Sequence, residues 1–423
     1  MENIDFNDFV TPEQDEGSAG QISANFSFKQ VGSITKYVEP VSGENTIDMI
    51  VEMFQDQPDL MAIPVEYSTG GIGIIDRKTA AAATNTAWKR LTAKNISDYV
   101  SPVSVFLNAR DFIEKALTKV SEINRKDGIL YFPVYYNNRT FFGIVSLDDF
   151  LERIAKIREQ DMEKAFVIQQ ELLPEPEKIP GLPFRATCWN RMANTLGGDF
   201  YQIYPIDASG DSAASSKFLI SCFDVSGKNV AASLLTIAVG SFFNTMKFMK
   251  DRPTHPTTII SLLDSYLQTT VPVGSFITAA ICYVDTARKQ LYLYNCGHTT
   301  VYLLFAEEGA EGRRVKIASV KPGLPPLGMG SVKEALSNIT DDAKPYAAIP
   351  IKENMHLELY SDGFTDMQTE DGIRYDDDRT KEFFINLYSK KDEEVGETIK
   401  KTVDDWIGNA MLPDDVTVLD IRF

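Results

Sequence analysis

The sequence predicts an α+β protein in which a small repeated region precedes a larger, strand-rich domain. Three observations predict it. Residues Ile34–Ser42 recur as Ile96–Ser104, identical at six of nine positions and offset by 62. A proline cluster, Pro174, Pro176, Pro180 and Pro183, then breaks the chain. Beyond about residue 184, apolar strand-like runs are interrupted by two consecutive helical stretches rather than by one helix per strand, which favours packed layers over a doubly wound sheet.

The elements follow in order. Residues 1–28 carry six acids and no base, and read as a flexible acidic tail. Each copy of the repeat leads into an amphipathic helix: Ile47, Ile50, Val51 and Phe54 in the first, Ile113, Ala116, Leu117 and Val120 in the second, all at i, i+3, i+4, i+7. Strand-like runs come next, Leu60–Val65 with Gly73–Ile75, and Leu130–Tyr135 with Phe141–Val145. A repeat this long suits two tandem α/β modules over 29–158 rather than a solenoid. Residues 150–173 read as one helix, with residues 159–174 as the linker. Its seven-residue seam (Leu151, Ile154, Arg158, Asp161, Ala165, Ile168, Leu172) is charged in the middle, so a short dimerising or signal-transmitting helix fits better than a long coiled coil. The remaining domain, 175–423, holds strands at 218–223, 276–284, 290–295, 300–305, 356–360 and 416–423, with helical stretches at 231–249 and 256–269.

Composition narrows the function. Forty-two basic against sixty acidic side chains leave a net charge of −18, which removes the cationic surplus that nucleic acid or an anionic membrane needs. Cys188, Cys222, Cys282 and Cys296 form no Cys-x-x-Cys pair, and read as reduced thiols rather than a zinc cluster. No apolar run of membrane-spanning length stands out and no basic-then-apolar leader precedes the chain, so a cytoplasmic protein is expected. No Gly-x-x-x-x-Gly-Lys-Ser/Thr motif supports a kinase or NTPase.

The chemistry concentrates on aspartates at strand ends. Asp199 follows Leu196-Gly-Gly, Asp224 closes Leu219–Phe223, Asp362 closes Leu357–Ser361, and Asp414-Asp415 opens the last strand. Carboxylates gathered there repel one another unless a dication neutralises them, and hard oxygen ligands favour Mg²⁺ or Mn²⁺. Two such ions would activate water against a phosphoryl group. Each Asp-Gly or Gly-Asp pair alone is an ordinary turn; four in sequence at strand ends are harder to explain that way. His298 is either a base or a turn histidine bonded to backbone, and Asp376-Asp377-Asp378 reads as a solvated loop.

Five separated motifs carry a resemblance over residues 165–423: Gly197–Tyr201, Asp224–Leu235, Asn295–His298, Leu359–Asp366 and Pro413–Val418, with Pro326–Gly328 and Gln169–Pro174 beside them. They resemble the SpoIIE/RsbU-type branch of the PPM metal-dependent serine/threonine phosphatases, which implies a layered α/β/β/α domain. The resemblance implies two metals, Mn²⁺ or Mg²⁺, with Asp224 bridging and the Val225 carbonyl assisting, Asp199 on one ion, and Asp362 and Asp414 on the other. Gly198, Ser226, Gly363 and Asp415 would stand behind these ligands. Ser226 occupies the position where eukaryotic members carry a histidine, leaving the general acid unassigned, and Lys228-Asn229 departs mildly from the bacterial pattern.

Residues 29–158 resemble a tandem cystathionine-β-synthase (CBS) domain pair. Its ribose-gripping signature fits Gly143-Ile-Val-Ser146-Leu-Asp-Asp149 but is scrambled at Gly73–Thr79, implying one adenine-nucleotide cleft with Ser146 and Asp149; the same two residues would equally cap a helix. Together the resemblances imply dephosphorylation of a partner phosphoprotein, by analogy an anti-sigma factor antagonist of STAS type, regulated through the CBS pair in a homodimer. The alternative is a non-catalytic nucleotide-sensing and protein-binding module.

Overall fold

Both copies of the repeat fold into the same order of elements in the computed structural model of the protein. It describes residues 25–68, 70–84, 95–100, 103–137, 140–179, 181–207, 215–227, 230–272, 274–309, 312–337 and 344–423. Most of the expected acidic tail, Ser101-Pro102 of the second repeat and Lys228-Asn229 lie outside the described residues. The chain divides into two units, Met1–Asp161 and Met162–Phe423.

In the first unit, β1 (Val41–Ser42) precedes α1 (Ile47–Asp56), β2 (Ala62–Glu66), β3 (Ile72–Asp76) and α2 (Arg77–Ala83). The second copy gives β4 (Leu107–Asn108), α3 (Ile113–Asp127), β5 (Tyr131–Tyr136) and β6 (Thr140–Ser146). Each first strand runs parallel to the second, and the second pairs antiparallel with the third. The predicted periodicity sets the buried faces: Ile47, Ile50 and Phe54 in α1, Ile113, Ala116 and Val120 in α3. In the first copy Asp76 caps α2 by accepting from the Thr79 N–H (2.6 Å).

The long helix α4 spans Leu147–Gln170, three residues earlier at each end than the sequence suggested. Its start is fixed by a reciprocal box. The Asp149 N–H donates to Ser146 Oγ (3.0 Å), while the Ser146 N–H and hydroxyl donate to Asp149 Oδ2 (2.9 and 2.5 Å). The chain leaves the helix before Pro174, turning at residues 171–173.

The second unit is built from two five-stranded antiparallel sheets. One has the order β14-β11-β10-β9-β8, with β8 Asp199–Pro205, β9 Lys217–Val225, β10 Ile277–Asp285, β11 Gln290–Cys296 and β14 Ala347–Pro350. The other has the order β13-β12-β15-β16-β7, with β7 Arg185–Arg191, β12 Val301–Gly309, β13 Gly312–Val320, β15 His356–Tyr360 and β16 Val416–Arg422. Alternating residues divide between cores. Tyr201, Ile203, Ile220, Cys222, Leu357, Leu359, Leu419 and Ile421 meet between the sheets. Phe200, Tyr204 and Phe223 face α5 (Val230–Phe248) and α6 (Pro256–Thr270). Tyr360, Val416 and Val418 face α9 (Asp376–Leu387) and α10 (Asp392–Ile407); short helices α7 (Ser331–Ser337) and α8 (Asp362–Asp366) fill connections. The result is the expected α/β/β/α layering.

Two sequence expectations need correction. Asp376–Asp378 form the first turn of α9 rather than a loop, where their charge complements the helix N-terminus. The sequence reading found no membrane-length apolar run, yet α5 is 19 residues long and apolar enough to span a bilayer by composition. It packs Leu235, Val239, Phe243 and Met246 into the core beneath β8 and β9. The four cysteines, Cys188 in β7 included, are free thiols on strands.

Candidate active site

The Gly197-Gly198 turn delivers Asp199 to the first position of β8, where it lies directly opposite Asp224 near the end of β9. Side chains of directly opposed antiparallel residues share one face at about 5 Å, so two carboxylates here repel. On its other side Asp224 is opposed by Thr278 of β10. The row Asp199–Asp224–Thr278 therefore crosses three strands at one end of the sheet.

The opposing sheet reaches the same place. Asp199 is 2 % exposed, and the hydroxyls of Ser361 and Thr417, at the ends of β15 and β16, lie against its carboxylate from across the sandwich and favour its charged form. Burial raises the Asp199 pKa well above the usual carboxylate range, and the Asp224 and Asp415 charges add to that, outweighing the two hydroxyls. Asp199 Oδ2 is buried with no hydrogen-bond partner.

Asp415 fixes the turn rather than facing it as a free charge. Its Oδ2 accepts from the Gly198 N–H (2.6 Å) and its Oδ1 from the Ala193 N–H (2.7 Å). Burial pushes the Asp415 pKa up, and Asp414 adds to this, against the pull of those donors. Gly198 must stay small: a Cβ there would lie 3.0 Å from the Val225 carbonyl and 3.3 Å from that of Gly227. The same holds at Gly363, where a Cβ would overlap the Asp415 carbonyl. That contact, with Ser361 Oγ accepting from the Thr417 N–H (2.9 Å) and donating to the Asp415 carbonyl (3.2 Å), ties the Asp362 backbone to the Asp414–Thr417 segment. Asp362 is exposed at the start of α8, while Asp224 and Asp414 are partly buried. Ser226 turns the chain after β9: its Oγ accepts from the Phe276 N–H (2.9 Å).

His298 is 3 % exposed, and its Nδ1 lies 2.9 Å from Thr278 Oγ1, which in turn contacts the Asp224 carbonyl (3.4 Å). A side-chain hydroxyl is thus one neighbour of the ring, and the Tyr360 backbone is the other, the kind of contact expected of a turn histidine. Burial lowers its pKa to about 4, so it is neutral at physiological pH.

Two supporting residues escaped the sequence reading. Thr278 sits in an unbroken apolar strand, and a polar residue there was the available signal. Gln169, the first residue of the Gln169–Pro174 motif, is 1 % exposed near the end of α4. Its Nε2 donates to the Gly197 carbonyl and to Thr236 Oγ1 (both 2.7 Å), and its Oε1 accepts from the Gly197 N–H (3.3 Å). A fully buried amide on an otherwise charged helix marks a tertiary bond.

In the first unit, the box described above engages Ser146 and Asp149 with each other, and Lys36 Nζ pairs with Asp149 Oδ1 at 2.9 Å.

Residues 215–423 match the family model described as Stage II sporulation protein E (SpoIIE). No curated protein matches the chain. Among solved structures, the SiaA-PP2C domain of Pseudomonas aeruginosa aligns at 19% identity over 64% of this chain and 98% of that one, with a TM-score of 0.51. The RsbU and RsbW domains of a Mycobacterium tuberculosis protein align at 16% identity over 58% and 60%, TM-score 0.42. The phosphatase domain and a regulatory fragment of SpoIIE from Bacillus subtilis align at 15% identity over 56% and 64%, TM-score 0.41.

Proposed function

We propose that this chain, whose residues 215–423 match the SpoIIE family model, is a PPM-type phosphatase that removes phosphate from phosphoserine or phosphothreonine of a partner protein at a two-metal site built on Asp199, Asp224, Asp362 and Asp414. The observation that carries the reading is Asp199. A buried carboxylate with an unpartnered oxygen, opposed by Asp224, is costly unless a cation joins it. Asp199, Asp224, Asp362, Asp414 and the Val225 carbonyl would hold the ions, an all-oxygen donor set that suits hard divalent cations. Bound Mn²⁺ or Mg²⁺ would supply Lewis-acid stabilisation of the phosphoryl oxygens and a nucleophile at neutral pH.

The chain's own work is positioning. Asp415 and Gln169 hold the Gly197–Asp199 turn from two directions, and Ser361 aligns the segments bearing Asp362 and Asp414. His298, neutral and turned to Thr278, supports the Asp224 backbone and does not act as the base. An exposed Asp362 leaves the site open on one side, as a phosphorylated side chain on a protein requires. Hydrolysis of an aryl phosphate and of a phosphoserine protein, each assayed in EDTA and with Mn²⁺ restored, tests this; full activity in EDTA rejects it.

The partner class proposed is a STAS-type antagonist, and the first unit is proposed as a CBS pair acting on the phosphatase through α4, in a homodimer. The element order repeated in both copies supports the CBS reading, and the continuity of α4 from β6 to Gln170 supports the route. A second reading of the first unit is favoured by one observation: Ser146, Asp149 and Lys36 satisfy one another, which suits a dimerising pair without nucleotide. Calorimetric titration with AMP, ADP and ATP, repeated on Asp149→Ala, decides between the two. Light scattering at 94 kDa, about twice the 47.2 kDa chain, is the expected dimer mass.

A further inference from the structure

Away from the five aspartates, the second unit buries another set of metal-type donors. His356 and Glu358 alternate along β15, on the face toward α9 and α10, and β16 pairs Asp420 against Glu358 and Arg422 against His356. His356 is 6 %, Glu358 0 % and Asp420 1 % exposed. One ligand atom from each of these three lies within 4.8 Å of the others, the only such triad among the described residues. His356 Nδ1 is 3.9 Å from Glu358 Oε1 and 3.8 Å from Asp420 Oδ2, too far for hydrogen bonds.

Three of the converging atoms have no partner: both Glu358 oxygens and His356 Nδ1 are buried and unbonded. The one cation beside them does not resolve this. Arg422 Nε and Nη2 go to Asp420 (2.7 and 3.1 Å), and Nη1 goes to Asp392 (2.8 Å) and the Lys390 carbonyl (2.7 Å). Asp420 is thereby compensated, while Glu358 receives no hydrogen bond. Leaving a buried carboxylate so is among the costliest arrangements in a protein core. Tyr388, whose ring is 4.3 Å from that of His356, closes the side toward the end of α9 and contributes no bond to these donors.

We propose that His356, Glu358 and Asp420 form a structural divalent-metal site of zinc type, separate from the phosphatase centre, that joins β15 to β16 beneath α9 and α10. With His356 Nδ1 3.8–3.9 Å from both oxygens and every separation within 4.8 Å, a point roughly 2.0–2.5 Å from all three exists, close to the ~2.0–2.2 Å of zinc bonded to imidazole nitrogen and carboxylate oxygen. The imidazole favours a borderline ion, and the near-complete burial disfavours Mg²⁺, which keeps its waters. The other resolution of the geometry is a proton shared between Glu358 and Asp420, with no ion at all.

The two are separated in full-length protein carrying Asp224→Asn, which weakens metal binding at the phosphatase centre. After zinc loading and gel filtration, elemental analysis should give about one zinc per chain, and Asp224→Asn/Glu358→Gln should lose most of it. Chelation should lower the thermal midpoint of the first protein by several degrees and leave the second unmoved. Should Glu358→Gln fail to fold, zinc-edge X-ray absorption on the Asp224→Asn protein decides alone: a shell containing one imidazole supports the site. An all-oxygen shell, no retained zinc, or zinc content indifferent to Glu358→Gln overturns it.

Discussion

Asp199 and Asp224 stand directly opposite each other on adjacent antiparallel strands, so the fold places two like charges where a sheet ordinarily avoids them. Removing one charge should therefore separate stability from activity. Asp224→Asn is expected to lower turnover by several orders of magnitude at saturating Mn²⁺. In EDTA its thermal midpoint should equal or exceed that of the unaltered protein, because the repulsion is relieved. Scanning calorimetry beside a phosphatase assay checks both halves; near-normal turnover would remove Asp224 from the metal site.

Asp415 is expected to behave oppositely. It accepts two backbone N–H bonds, and Asp415→Ala leaves the buried Gly198 donor and the part-buried Ala193 donor unpaired. A loss of about 2–4 kcal/mol is expected from denaturant unfolding, with turnover falling as the Gly197–Asp199 turn loosens. Asp415→Asn retains part of the stability, since its amide oxygen can still accept one bond.

Gly363→Ala should be damaging without altering any charge. The new methyl meets the Asp415 carbonyl, and only displacement of α8 or of the start of β16 relieves it. Turnover should fall at least tenfold while the metal-free midpoint drops by a few degrees. Gly323→Ala is the control, because nothing lies within 4 Å of a Cβ there and its φ is not positive.

The pH dependence follows from His298. Burial lowers its folded pKa to about 4 from 6.5, so between these values the unfolded chain binds the extra proton. Stability is then complete above about pH 6.5 and is lost progressively as pH falls toward 4, by at most about 3 kcal/mol. Replacing His298 with Asn should flatten that part of the stability–pH curve. An unchanged slope in urea titrations at pH 6.5, 5.5 and 4.5 would show that His298 is not buried neutral.

Much of this was legible because the relevant signals are local. The repeat's helices bury the apolar positions that their spacing indicated, and the strand-end aspartates stand where the apolar runs stop. What escaped depends on distant partners. β7 and β8 carry polar residues whose settings depend on distant elements: Gln202 lies on the face that Phe200 and Tyr204 turn toward α5 and α6, and Asn190 bonds Thr417 of the neighbouring β16, so their runs looked irregular. α9 opens with three aspartates that resemble a loop until Phe383, Phe384 and Leu387 are seen packing on Tyr360. The His356–Glu358–Asp420 cluster was invisible because strand pairing alone brings residues 356 and 420 together.

Gln169 gives α4 a discrete rather than graded connection to the site. One residue of helical rotation is about 100°, enough to carry the amide entirely off the Gly197 peptide group that it grips on both its N–H and carbonyl sides. Bending or small translation would stretch those bonds slightly, whereas a register step abolishes them together. Gln169→Leu would remove these bonds and the one to Thr236 at once, and turnover is expected to fall as the Gly197–Asp199 turn loses one of its two holds.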